Sequence, residues 1–298
     1  NGLVQGSIYA MVALGYTMVY GIMGLINFAH GEVVMIGTLV AITVITLLIN
    51  AGMPVMLAGA CGIVAAAVAC MMLGWSLERI AYRPLRNAQR LAPLITAIGC
   101  SIVLQNLAMM IWGRNYMTFP PLIEKTQFEI AGASFTSVQI MIVLVASISM
   151  GGLLFLVYRT KLGMAMRATA QNPAVAGLMG VNANRVISSA FVVGSALGAV
   201  AGVMVGTYYE IAHYQMGFML GLKAFTAAVL GGIGNLAGAM AGGVLLGLIE
   251  ALGAGYIGDL TGGFLGSHYQ DIFAFAVLII VLMFRPSGLF GEKTGDRA

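Results

Sequence analysis

Apolar residues fill this chain in blocks of about 20, on every side rather than in alternation, and short polar breaks separate the blocks. "VVMIGTLVAITVITLLI" at 33–49 is one such block. A membrane β-strand would alternate polar and apolar residues, so these are helices. About 20 residues rising 1.5 Å each cross the ~30 Å hydrocarbon core of a bilayer. The blocks predict nine spans, near 2–24, 32–50, 54–77, 92–112, 136–157, 186–208, 216–233, 235–256 and 270–285. The expected fold is all-α, a polytopic transmembrane helical bundle forming one domain over 1–298. Re-entrant or broken segments would lower the complete crossings to about eight.

Composition agrees: 60% of the 298 residues are hydrophobic and 8% are charged, against roughly a quarter charged in soluble proteins. The net charge of +4 does not point to nucleic acid, because the basic residues sit in short connections. Arg79, Arg83, Arg86 and Arg90 share one connection, Arg159, Lys161, Arg167 and Arg185 another, and Arg285, Lys293 and Arg297 the C-terminal end. Nine spans place all three groups on one face, the cytoplasm by the positive-inside rule. Connections 113–135, 209–215 and 257–269 then face outside, with a cytoplasmic C-terminus. The loop 113–135 reads as an ordinary exposed connection. No cleavable signal peptide is visible, and a chain opening on Asn1 is expected to follow further residues.

The break "GLINFAHGE" at 24–32 sets Asn27, Phe28, His30 and Glu32 between two apolar blocks. Backbone freed inside a membrane survives only against protein or a water-filled cavity. These residues therefore either line a path or form a tight inner turn with Glu32 as a first-turn acid. "GIGNLAGA" at 232–239, with Asn235, shares the Asn-apolar-Ala core of the first break, as related halves of transporters do. Glu250 lies within an apolar block, where an acid is a functional candidate by default; it meets substrate or pairs with Lys223. Gln105 and Asn106 are expected to bond between helices, and His213 and His268 to be ordinary loop residues.

Gly194, Gly198, Gly202 and Gly206 recur every four residues and form a small-residue ridge for close helix packing, within the chain or against a second subunit. A second Gly/Ala-rich run covers 231–247. Cys61, Cys70 and Cys100 lack metal or redox spacing and read as packing residues. With no phosphate-binding G-x-x-x-x-G-K-[ST] loop and no H-E-x-x-H, neither an enzyme, a metal nor a cofactor is expected. The connection 158–185 carries helix formers, an Asn-Pro pair and glycines, and predicts one or two short surface helices.

"GYTMVYGIMGLINFAHGEVVMIG" at 15–37, "ERIAYRPLR" at 78–86 and "KAFTAAVLGGIG" at 223–234 resemble the LivH-type permease of bacterial branched-chain amino acid ABC importers. The resemblance runs over nearly the whole chain. It implies a type II-like importer fold in the inner membrane, a LivM-type second permease subunit, two cytoplasmic ATPases and a periplasmic binding protein. The ABC-permease motif E-A-A-x-x-x-G also has a counterpart in "AVAGLMG": Ala176 and Gly180 match, whereas Ala174 and Val175 replace its glutamate and first alanine. The resemblance thus makes Ala174, Val175, Ala176, Gly177 and Gly180, within 163–181, the ATPase-coupling segment. It also places the breaks with Asn27, Phe28, His30, Glu32 and Asn235 at the translocation path, beside Glu250, a candidate from its own position in an apolar block. A urea, amide or sugar permease of the same superfamily is the alternative, and a stand-alone secondary carrier a more distant one.

Overall fold

The computed structural model describes residues 1–86, 88–89, 91–130, 133–260 and 269–291. Its helices are α1 (Gly2–Met23), α2 (His30–Asn50), α3 (Val55–Ser76), α4 (Leu91–Trp112), α5 (Ser137–Arg159), α6 (Lys161–Gln171), α7 (Pro173–Leu178), α8 (Ala183–Tyr209), α9 (Met216–Gly231), α10 (Leu236–Leu260) and α11 (Gln270–Phe284). Helix α3 runs on through a π-helical turn, Leu77–Tyr82, and a short 3₁₀ turn, Arg83–Leu85.

Helix α1 is buried on nearly every side and forms the axis of the bundle. It packs most extensively on α10, then on α8, α9 and α5. The α1–α10 crossing explains the second Gly/Ala run: Gly6 and Ala10 of α1 face Gly243 and Gly247 of α10. A Cβ on Gly6 would stand 2.7 Å from the Val244 Cα, so the backbones approach only because the side chains are missing. A second core joins α2, α3 and α8. By contrast α3, α4 and α5 leave Val64, Ile95, Ile111, Ile148 and Phe155 exposed, as helices solvated by acyl chains do.

Among the described residues seven helices are long and apolar enough to cross a membrane; α9 (16 residues) and Asp271–Phe284 are shorter. At 1.5 Å per residue α9 spans about 24 Å, less than the hydrocarbon core. Its position shows why it is short. Gly31, in the first turn of α2, lies against Gly217 and Gly221 in the first turns of α9. The two helices start at one level inside the bundle and run toward opposite faces.

The ends of the helices sort onto two faces. On one, β1 (Met117–Thr118) pairs antiparallel with β4 (Ile211–Ala212), joining the connections after α4 and α8. There β2 (Gln127–Ile130) and β3 (Ala133–Thr136) also pair, Phe128 opposite Phe135. The described residues of the loop 113–135 are mostly exposed, as expected, and some of its peptide groups find partners in short strand ladders. On the other face the 77–86 turn meets the start of α8, where Arg83 and Arg86 bond Ser188 and Asn184. The N–H groups of Leu289 and Phe290 donate to the carbonyls of Leu230 and Gly231 there. The described basic connections thus share one face. Arg90, His268, Lys293 and Arg297 lie outside the described residues.

Candidate functional site

The break at 24–32 is a built turn between α1 and α2. Gly24 ends α1 at φ +63, and its N–H donates to the Tyr20 carbonyl. Asn27 is buried, and its Oδ1 accepts from the Tyr82 hydroxyl at 2.8 Å. The Asn27 carbonyl in turn accepts from the His30 N–H as α2 begins. The Asn27 side chain thus ties the turn to Tyr82, while its carbonyl meets one freed N–H at the start of α2. His30 is enclosed: it lies between Gly15 of α1 and Gly198 of α8 and meets the Tyr16 ring edge-on at 5.1 Å. Phe28 packs on Phe225 and faces a groove.

That groove, about 680 Å³, runs between α4 and α9. Its polar lining is Tyr16, Ser101, Gln105 and Gln215; its apolar wall includes Ile102, Phe218 and Leu222. Behind Ser101 and Gln105 stands Glu32, 0% exposed. Its Oε1 accepts from Ser101 Oγ at 3.0 Å and from Gln105 Nε2 at 2.7 Å. Its Oε2 has no hydrogen-bond partner and lies beside Gly217. The carboxylate thus occupies the first turn of α2 and touches the first turn of α9, where two positive helix ends favour an anion. Gln105 was expected to bond between helices and does so, to Glu32. Asn106 instead donates back to Ile102 within α4.

A second polar cluster lies across the bundle. Glu250 of α10 is 0% exposed and accepts from the Tyr9 hydroxyl at 2.7 Å. The Lys223 ammonium of α9 stands 3.3 Å from Glu250 and 2.6 Å from Asp271 at the start of α11. One lysine therefore ties three helices around a buried acid. Sequence reasoning named the Glu250–Lys223 pair but missed Tyr9 and Asp271. Tyr9 gave no signal within the apolar run of α1, and Asp271 stands in the first turn of α11, where an acid is ordinary. Lys223 and Tyr9 floor a cavity of about 260 Å³ that opens among Tyr116, Tyr209 and His213. His213 stacks on Tyr116 at 4.6 Å.

The remaining candidates fall elsewhere. Asn235 is half-buried in the α9–α10 turn, where it accepts from the Gly238 N–H and donates to the Phe290 carbonyl, away from the groove. Gly194 faces Gly15, Gly198 faces His30 and Val34, Gly202 faces Thr38, and Gly206 faces Phe119, so the whole ridge is covered by this chain. Connection 158–185 forms α6 and α7, with Asn172 accepting from the N–H groups of Ala174 and Val175. Ala174, Val175 and Gly177 are exposed, Gly180 closes α7 at φ +83, and Ala176 is buried. The large apolar side chains exposed on α7 and at its C-cap are Val175, Leu178 and Met179. The arginine loop holds more than orientation: Arg83 and Arg86 both pair with Glu78, which is 0% exposed. Among the described residues no His/Cys/Asp/Glu group could hold a metal ion.

A bundle of long apolar helices with a polar groove beside a broken helix defines a polytopic membrane transport protein. The chain belongs to the family described as "Branched-chain amino acid transport system / permease component", which it matches over residues 1–282. It is 46% identical to the high-affinity branched-chain amino acid transport system permease protein BraD of Pseudomonas aeruginosa, over 100% of this chain and 96% of that one. With the corresponding permease protein LivH of Escherichia coli K12 it shares 45% identity, over the same shares of each chain. Among solved structures it is similar to PsaBC from Streptococcus pneumoniae in complex with Fab, with a TM-score of 0.50, 12% identity, and coverage of 96% of this chain and 91% of that one. That likeness concerns the fold alone. The chain is a transport subunit and not an enzyme.

Proposed function

We propose that this chain is the membrane permease of an ATP-driven importer for leucine, isoleucine and valine. The observation that carries the reading is full-length similarity to two permeases named for branched-chain amino acid transport, at 46% and 45% identity. The groove between α4 and α9 supports it. Ser101 and Gln105 are polar groups at mid-helix on a face otherwise apolar, and such groups belong against protein or water rather than lipid. A second, LivM-type permease subunit laid over this face would turn the groove into an enclosed path. Phe28, with Glu32 behind Ser101 and Gln105, would then border the path, with His30 and Asn27 shaping the break and Glu250 and Asn235 bracing helices outside it.

Two ATPases dock on the face that carries the arginines, which is cytoplasmic together with the C-terminus. The exposed side chains of α7, Val175, Leu178 and Met179, supply the contact, and Ala176, Gly177 and Gly180 shape the helix and its end. A binding protein delivers substrate at the opposite face, where the four short strands lie. The site is the inner membrane. A mild-detergent purification of the chain, with its partners identified by mass spectrometry, tests the assembly. Recovery of a second permease and two ATPases supports it. Recovery of the chain alone, still transporting in liposomes, overturns it in favour of a secondary carrier.

A further inference from the structure

The geometry points to a specific station for the substrate's ammonium group in the α4–α9 groove, formed by the Gln105 side-chain carbonyl and set in place by Glu32 and Ser101. The inference rests on the reading of the chain as an amino acid permease. Gln105 donates its NH₂ to Glu32 Oε1 at 2.7 Å, an oxygen that also accepts from Ser101. That bond turns Gln105 Oε1 away from Glu32, and among the described residues Oε1 has no protein partner. Ser101 spends its one proton on the same Glu32 oxygen and accepts from the Gln105 amide at 3.4 Å. The donors of both side chains are thereby used within the cluster, and Gln105 Oε1 is the acceptor left to the groove.

Among the described residues no positive side chain competes for this place: none pairs with Glu32, whose second oxygen is buried without a partner. A passing ammonium, with three N–H donors and a positive charge, matches such a site. A carboxylate does not. The surrounding wall of Ile102, Phe218 and Leu222 suits a branched aliphatic side chain. Gln105 is the contacting residue, while Glu32 and Ser101 are positioning residues.

The test uses the whole transporter, with its ATPases, second permease and binding protein, in proteoliposomes. Gln105→Met keeps the side-chain length and removes both polar ends. Leucine uptake should lose at least about ten-fold in kcat, the worth of one hydrogen bond to a charged group. Binding-protein-stimulated ATP hydrolysis should persist, so leucine moved per ATP falls. A merely structural defect would lower both rates together. Photo-leucine activated during turnover should label 98–105 or 218–222. Wild-type kcat and wild-type leucine per ATP in Gln105→Met, or labelling confined to other helices, overturns the station. Should that variant fail to assemble, Ser101→Ala, which removes one donor from Glu32, is read by the same ratio: a fall supports the station and an unchanged ratio refutes it. Wild-type transporter that takes up no leucine refutes the permease reading and the station together.

Discussion

Removing the Lys223 charge should destabilise this chain more than the loss of any exposed ion pair would. Lys223 is 12% exposed at its side chain, Glu250 is 0% exposed and Asp271 33%. Lys223→Met keeps the apolar stem and removes the ammonium, so the change isolates charge from packing. Glu250 is then left with the Tyr9 hydroxyl as its partner. Breaking a buried pair in this way costs about 3–5 kcal/mol, because the surviving charge is stranded. The half-open Asp271 contact adds at most about 1 kcal/mol. The buried acid decides the outcome, and a total near 4 kcal/mol is expected. Glu250→Gln should relieve it. In a double-mutant cycle measured by SDS unfolding in mixed micelles, Lys223→Met/Glu250→Gln should be less destabilised than the sum of the single variants, by about 2 kcal/mol. A Lys223→Met loss below about 1 kcal/mol with strictly additive variants would refute a stranded charge.

Gly6→Val should block the α1–α10 crossing, since even a Cβ would stand 2.7 Å from backbone; folded yield after detergent extraction should fall several-fold, and wild-type yield and melting would contradict the close approach. Glu78→Ala leaves Arg83 and Arg86 facing one another without their buried partner; a loss of about 2–3 kcal/mol is expected in the same SDS assay, and an unchanged midpoint would show the cluster to be ornamental. Leu178→Asp alters an exposed residue of α7, so ATPase recovery in pull-downs should drop while melting stays within about 0.5 kcal/mol of wild type. Ala176→Asp buries a charge at a site only 4% exposed and should destabilise the chain itself by about 2 kcal/mol or more; equal melting of the two variants would contradict this division of α7.

The spans were legible because a bilayer demands unbroken apolar runs, and seven of the nine predicted segments are helices of full length. The other two, α9 and α11, are apolar but shorter. Hydropathy alone could not show that α9 starts inside the bundle beside Gly31, since that depends on which helix meets which. The break at 24–32 was visible as polar residues in an apolar chain. Their separate duties were not: Asn27 and Glu32 look alike in sequence, yet one binds Tyr82 and the other Ser101 and Gln105. Gln105 carried too weak a signal to be placed among path residues, because a lone amide in a span serves packing equally well. The glycine ridge was readable as a close-approach surface by its spacing of four, whereas its neighbours α1 and α2 came only from the fold. Strand pairing between 113–135 and 209–215 joins segments far apart in the chain, and two residues on each side leave no pattern.

Leucine uptake into proteoliposomes that hold this chain with the proposed second permease, the ATPases and the binding protein tests the importer reading most directly. Accumulation that requires internal or external ATP at the nucleotide-binding face, needs the binding protein, and persists when ionophores collapse ion gradients is the predicted result. Uptake by this chain without ATP, abolished by the ionophores, would contradict it.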